Sequence, residues 1–138
     1  MKYLHAMIRI RDVEASLRFY TELLGLKLIR EHHYPEDAFS LYFLATEEGE
    51  PEIELTKNHD DRDYSNGDNF GHLAFHVDNI YETCQRLMDG GVTILFPPKN
   101  GRMAFVKDPS GISLELLQEG EPLPPAEPWV SMGITGSW

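Results

Sequence analysis

Four residues carry the chemistry this sequence could perform: His5, Glu54, His72 and Glu115. His5 stands near the start of "YLHAMIRIRD" (3–12), and His72 takes the matching place in "FGHLAFHVDN" (70–79), 67 residues later. Each glutamate interrupts an apolar run, Ile53-Glu54-Leu55 and Leu114-Glu115-Leu116. A carboxylate on the concave face of a curled sheet is costly to bury without a partner. Two carboxylates and two imidazoles at equivalent places of a repeat can supply that partner to each other through a divalent cation. Two nitrogen and two oxygen donors, with room for water, suit octahedral nickel, cobalt or manganese, or zinc.

The elements that must position these groups occur twice. Residues 3–10 alternate, with His5, Met7 and Arg9 on one face and Leu4, Ala6, Ile8 and Ile10 on the other, which predicts a strand. "DVEASLRFYTELLG" follows, with Asp12 as cap, apolar residues at helical spacing and Gly25 as stop. Strands are expected over 26–34, 38–46 and 51–58, with "EEGEP" as the turn between the last two. The second half repeats the plan: strand 71–77, a helix over 78–91 capped by Asp78, then strands 92–98, 102–108 and 111–118. "DPSG" fits a type I turn between the last two strands. Each half therefore reads β-α-β-β-β, giving an α+β chain of two modules, 1–58 and 71–118, joined by a linker over 59–70. The segment 119–138 holds four of the nine prolines and both tryptophans. Its prolines argue against helix and central strand, and its tryptophans favour an extended arm lying along the protein surface or over a partner subunit. The modules, linker and arm are expected to form one structural unit.

The chain has 138 residues with 23 acidic against 12 basic, a formal net charge of −11. Such a field opposes nucleic acid and anionic lipid, so neither is expected as a partner. No apolar run approaches the roughly 18 residues of a membrane span. The opening "MKYLHAMIRIRD" has charges inside its apolar stretch, which is unlike a signal peptide. Cys84 is the single cysteine, so no intrachain disulfide is expected and a reducing cytoplasm is the default compartment.

The stretches "LHAMIRIRDVEASLRFYTELLGLKLIR", "IELTKN", "GHLAFHVD" and "MAFVKDPSGISLELL", in this order over nearly all of residues 1–118, resemble glyoxalase I (lactoylglutathione lyase) of the vicinal oxygen chelate superfamily. The resemblance implies paired βαβββ modules and metal ligands at His5, Glu54, His72 and Glu115. It also implies a site shared between subunits of a homodimer, one module from each chain. The chain is similar to the compact bacterial form, which implies Ni2+ or Co2+ rather than Zn2+. The implied reaction converts the hemithioacetal of glutathione and methylglyoxal to S-lactoylglutathione, by proton transfer through an enediolate. Glu115 falls on the family's base and Glu54 on its counterpart for the opposite face.

Glutathione's carboxylates require cations or amides placed against the overall charge. Arg9, four residues beyond His5, and Asn58, four beyond Glu54, match family glutathione contacts; Lys99 and Arg102 in "PPKNGRMAF" are further candidates. Asp68 departs from the pattern, because some members carry an arginine there, four residues before the second histidine. Arg102 or the arm is then expected to compensate, or the thiol is held differently. His32, His33, His59 and His76 read as surface or packing residues.

Other enzymes of the same superfamily offer rival readings. Extradiol dioxygenases and fosfomycin-type thiol transferases use three protein ligands, and Glu54 would fill a position that dioxygen chemistry needs open. A CoA epimerase would want a larger basic surface. A metal-free drug-binding module would leave Glu54 and Glu115 without a role.

Overall fold

Alternation in the first strand, β1 (His5–Ile10), sorts its side chains cleanly: Ile8 and Ile10 are buried, while His5, Met7 and Arg9 face outward. The computed structural model describes residues 1–138, which divide into two units, Met1–Ser65 and Asn66–Trp138. No helix is long and apolar enough to cross a membrane.

In the first unit, β1 leads into helix α1 (Val13–Leu17), capped by Asp12, whose carboxylate accepts from the Ala15 N–H at 2.9 Å. The helix then widens into a π-helical turn over Arg18–Leu23. There the Leu24 N–H reaches the Phe19 carbonyl, five residues back, at 2.9 Å. Phe19, Tyr20 and Leu23 on this turn are buried. Strands β2 (Lys27–Tyr34), β3 (Phe39–Ala45) and β4 (Glu52–Asn58) complete a sheet of order β1-β4-β3-β2. β1 runs parallel to β4 and the other pairs are antiparallel. Ile10, Tyr20, Leu44 and Leu55 form the fully buried centre of this unit.

The second unit contains β5 (His72–Val77), helix α2 (Ile80–Asp89), β6 (Met103–Lys107) and β7 (Ser113–Gln118), with sheet order β5-β7-β6. Again the first strand is parallel to the last and β6 is antiparallel to it. Two local expectations change. The cap of α2 is Asn79 rather than Asp78: its side-chain oxygen accepts from the Tyr81 and Glu82 N–H groups at 3.0 and 3.1 Å. The strand expected over 92–98 shrinks to a bridge between Phe96 and Phe105. Pro97 and Pro98, both fully buried, have no N–H to donate to a ladder, so the pairing cannot continue past Phe96. The "DPSG" turn forms as expected, with Asp108 accepting from the Ser110 and Ile112 N–H groups at 2.8 Å each.

The Pro-rich arm docks on the second unit. Its Leu123 N–H donates to the Gly101 carbonyl at 3.0 Å, and the Tyr81 hydroxyl donates to the Pro124 carbonyl at 2.8 Å. Trp129 is buried and stacks on Tyr81, with ring planes 6° apart. Gly101 has φ +70°, and a Cβ placed there would lie 2.7 Å from both the Leu123 backbone nitrogen and its carbonyl carbon. Only glycine allows that approach. Further along, the Thr135 N–H donates to the Leu95 carbonyl at 2.9 Å, covering the edge that the shortened strand leaves open.

Candidate metal centre

Strand register places the histidines and glutamates. In the first unit His5 lies opposite Glu52 and Met7 opposite Glu54. In the second His72 lies opposite Ser113 and Ala74 opposite Glu115. Each histidine is therefore two residues before the partner of its glutamate, on the same face of a parallel pair. The diagonal closes in both units: His5 Nε2 is 2.8 Å from Glu54 Oε2, and His72 Nε2 is 3.1 Å from Glu115 Oε2. The imidazoles are 38% and 41% exposed, whereas the carboxylates are only 14% and 18% exposed. Neither unit adds a third His, Cys, Asp or Glu side chain to its pair.

A third residue repeats that sequence reasoning did not single out. Phe43 is the β3 partner of Glu54, and Phe105 is the β6 partner of Glu115. Their rings meet the histidines edge-on, His5–Phe43 at 6.1 Å and 76° and His72–Phe105 at 5.3 Å and 79°. Each unit thus builds the same His-Glu-Phe cluster. The available signal was a phenylalanine at nearly the same distance before each glutamate, in "LYFLAT" and "RMAFVKD".

The flanks of the two clusters differ. Arg30 is the β2 partner of Phe43, its guanidinium carbon lies 3.9 Å above the Phe43 ring, and it forks onto Glu52 at 2.5 and 2.9 Å. The hydrogen bond to Glu52 raises the Arg30 pKa; partial desolvation opposes this, and the charges of Glu52 and Glu54 add to it. At the corresponding place opposite Phe105 the second unit has Phe96. Trp138 stacks on Phe105 at 5.4 Å and 20°, and meets Phe96 edge-on at 5.3 Å and 71°. One cluster is bordered by a cation and the other by an aromatic wall.

The four thiol-contact candidates fall in different settings. Arg9 lies exposed on β1 opposite Thr56, and Asn58 ends β4 with its amide donating to the Tyr64 hydroxyl at 2.8 Å. By alternation both share the His5–Glu54 face. Lys99 and Arg102 sit in the loop before β6, Lys99 half-buried and Arg102 exposed, with the Arg102 N–H donating to the Asn100 side chain at 3.1 Å. Asp68 is exposed in the turn before β5. Of the histidines read as surface or packing residues, His33 and His59 pack on one hydroxyl: Nδ1 of the first and Nε2 of the second lie 3.0 and 2.9 Å from the Ser40 Oγ.

Residues 2–116 match the family described as the Glyoxalase/Bleomycin resistance protein/Dioxygenase superfamily. This chain belongs to that superfamily. Among its members, a probable lactoylglutathione lyase of Synechocystis is 41% identical over 125 residues, covering 86% of this chain and 95% of the relative. The lactoylglutathione lyase of Neisseria meningitidis is 40% identical over 126 residues, covering 86% and 91%. In three dimensions the superfamily fold is shared with the trypanothione-dependent glyoxalase I of Leishmania major, with a TM-score of 0.82 and 37% identity over 86% of this chain and 87% of that one. The superfamily match ends before the Pro-rich arm.

Proposed function

We infer that this chain is a lactoylglutathione lyase, isomerising the hemithioacetal of a small 2-oxoaldehyde and glutathione. The carrying observation is the paired His–Glu diagonal at identical register in both units. The donors fit a divalent ion: each pair offers an imidazole nitrogen and a carboxylate oxygen, the carboxylates are mostly shielded from water, and two donors are half of a four-ligand set. His5, Glu54, His72 and Glu115 would hold it, with each pair completed by the other kind of pair from a second copy of the chain in a homodimer. When bound, a divalent ion stabilises negative charge developing on the substrate oxygens. The same four donors accept several divalent ions; the resemblance to the bacterial form is what favours Ni2+ or Co2+ over Zn2+.

The remaining work falls to side chains. A Glu115 carboxylate oxygen takes the proton from the carbon bearing sulfur and returns it to the neighbouring carbon. Glu54, its positional counterpart, serves the opposite face. Phe43 and Phe105 hold each imidazole on edge and keep water from one side of the reacting carboxylates. Arg9 and Asn58, on the His5–Glu54 face, anchor the carboxylates of glutathione, with Arg102 and Lys99 as further cations. A cytoplasmic location accords with a chain of one cysteine acting on a free thiol.

The test is isomerase activity on the methylglyoxal–glutathione hemithioacetal, using metal-stripped protein reloaded with nickel, cobalt, zinc or nothing. Activity with nickel or cobalt that is lost in the stripped protein, and falls at least 100-fold in Glu115→Gln, is expected. No turnover with any ion would refute the reaction. Asp68 supports a variation in the thiol, because an anion there disfavours a carboxylate neighbour. Glutathione amidated at glycine is the comparison, and a lower KM for the amide would show that the thiol terminus is read differently.

A further inference from the structure

The Trp138 indole belongs to no part of the matched superfamily region, yet it touches the ring that packs against a proposed ligand. Phe105 and Glu115 are register partners across β6 and β7, so their side chains leave the sheet on the same side. His72, two residues before the partner of Glu115, leaves on that side as well. The indole lies nearly parallel to Phe105, 20° between planes with centroids 5.4 Å apart, and closes against the Phe96 edge. The Thr135–Leu95 backbone bond ties the arm down three residues before the indole. Trp138 is 44% exposed, so one side rests on the two phenylalanines and the other remains open.

We propose that Trp138 is a specificity-determining residue, forming a wall beside the His72–Glu115 pair that limits the size of the substituent on the 2-oxoaldehyde. The inference rests on the reaction assigned above. That substituent is bonded to the carbon next to the one that loses its proton, so it lies within a few ångströms of Glu115 whenever the substrate is placed for transfer. A methyl group needs little room there. An aryl group would seek a flat apolar surface, and the Phe105 face, opposite Glu115 across the strand pair, is one that the indole already covers. The first unit has no such wall: its equivalent ring, Phe43, is covered by Arg30. The arm therefore favours small substituents by occupying the stacking surface a large one would use.

The experiment compares methylglyoxal and phenylglyoxal hemithioacetals as substrates for the full chain, loaded with its activating metal, and for Trp138→Ala and Trp138→Phe. The ratio of kcat/KM for phenyl over methyl is expected to rise at least fivefold in Trp138→Ala and less in Trp138→Phe, whose smaller ring still covers part of Phe105. Calorimetric binding of the two thioester products, S-mandeloylglutathione and S-lactoylglutathione, should shift in the same direction without any turnover. Thermal melts identify loss of fold, and if the alanine variant is unstable the phenylalanine variant decides the question. A ratio unchanged within twofold in a folded variant would overturn the proposal. So would a fall, because the indole would then be stacking the aryl group rather than displacing it. If the unaltered protein neither turns over nor binds either compound, the reaction itself is wrong and the proposal falls with it. That result is distinct from an active enzyme with an unmoved ratio.

Discussion

Gly101→Ala tests whether the arm is part of the folded second unit. Gly101 sits at φ +70°, where an alanine costs about 1–2 kcal/mol of backbone strain. Its new Cβ would fall inside the van der Waals shell of the Leu123 backbone, 2.7 Å from the amide nitrogen and the carbonyl carbon. Those atoms are main chain and cannot swing aside as a side chain would. Relief requires Leu123 to lift away, and that breaks the 3.0 Å bond from its N–H to the Gly101 carbonyl, worth about 1 kcal/mol. The sum is about 2–3 kcal/mol, or a fall in Tm of roughly 6–10 °C for a chain of this size. The assay is a thermal melt followed by tryptophan fluorescence, because Trp129 is buried on Tyr81 only while the arm is docked. Proteolysis with mass analysis, run alongside, should show earlier cleavage in 119–138. A Tm within 2 °C of the unaltered protein, with the arm equally protected, would refute the reasoning, since it would mean the approach at Gly101 holds nothing in place.

Divalent metal at 100 times its dissociation constant should stabilise the protein by about 2.7 kcal/mol, and a chelator should reverse the accompanying rise in Tm; in His72→Ala that rise should disappear if the histidine is a ligand. Arg30→Met removes the fork onto Glu52 and the stacking on Phe43, both partly exposed, for a loss of about 1–2 kcal/mol by urea denaturation. Arg30→Lys should recover less than half, and full recovery would show that the planar fork is immaterial. Burial pushes the Cys84 thiol from 9.0 up to about 12, so the folded state keeps its proton where the unfolded state loses it. That contribution is complete below pH 9 and is lost as pH rises toward 12. Between pH 8 and 10 the protein should lose about 1.4 kcal/mol relative to Cys84→Ala, and a constant gap between the two would contradict it.

Periodicity carried most of the architecture. The two-faced strand at residues 5–10 and the cap at Asp12 were legible because a strand alternates by two and a cap needs an oxygen before its N–H groups. The two His–Glu pairs stood out for a different reason: a carboxylate inside an apolar strand is conspicuous, and it occurs at equivalent places. Three features escaped for physical reasons. The 92–98 segment has a strand's composition up to Phe96, but pairing is a tertiary event and two buried prolines end it. Phe43 and Phe105 look like ordinary core residues in sequence, since strand register, invisible in one dimension, is what sets them opposite the glutamates. The arm's contacts with Phe105 and Tyr81 span long stretches of chain and left no local signal.

The π-helical turn reconciles a difference in length between the two copies of the repeat. His5 and His72 are 67 positions apart, and so are the two caps, Asp12 and Asn79. Past the helices the spacing is 66, between Gly25 and Gly91, which stop them at φ +93° and +90°. The first copy therefore contains one residue more than the second, and the surplus falls where the helix widens at Arg18–Leu23 while α2 stays regular. An extra residue in a continuous helix would rotate everything after it by about 100° and turn the following strand's core face outward. Taken up as a five-residue bond, it leaves both flanks where they were. The helix thus tolerates one residue more without moving what it connects, and deleting one residue from 18–23 should give a chain that folds with a regular first helix and both strands unmoved.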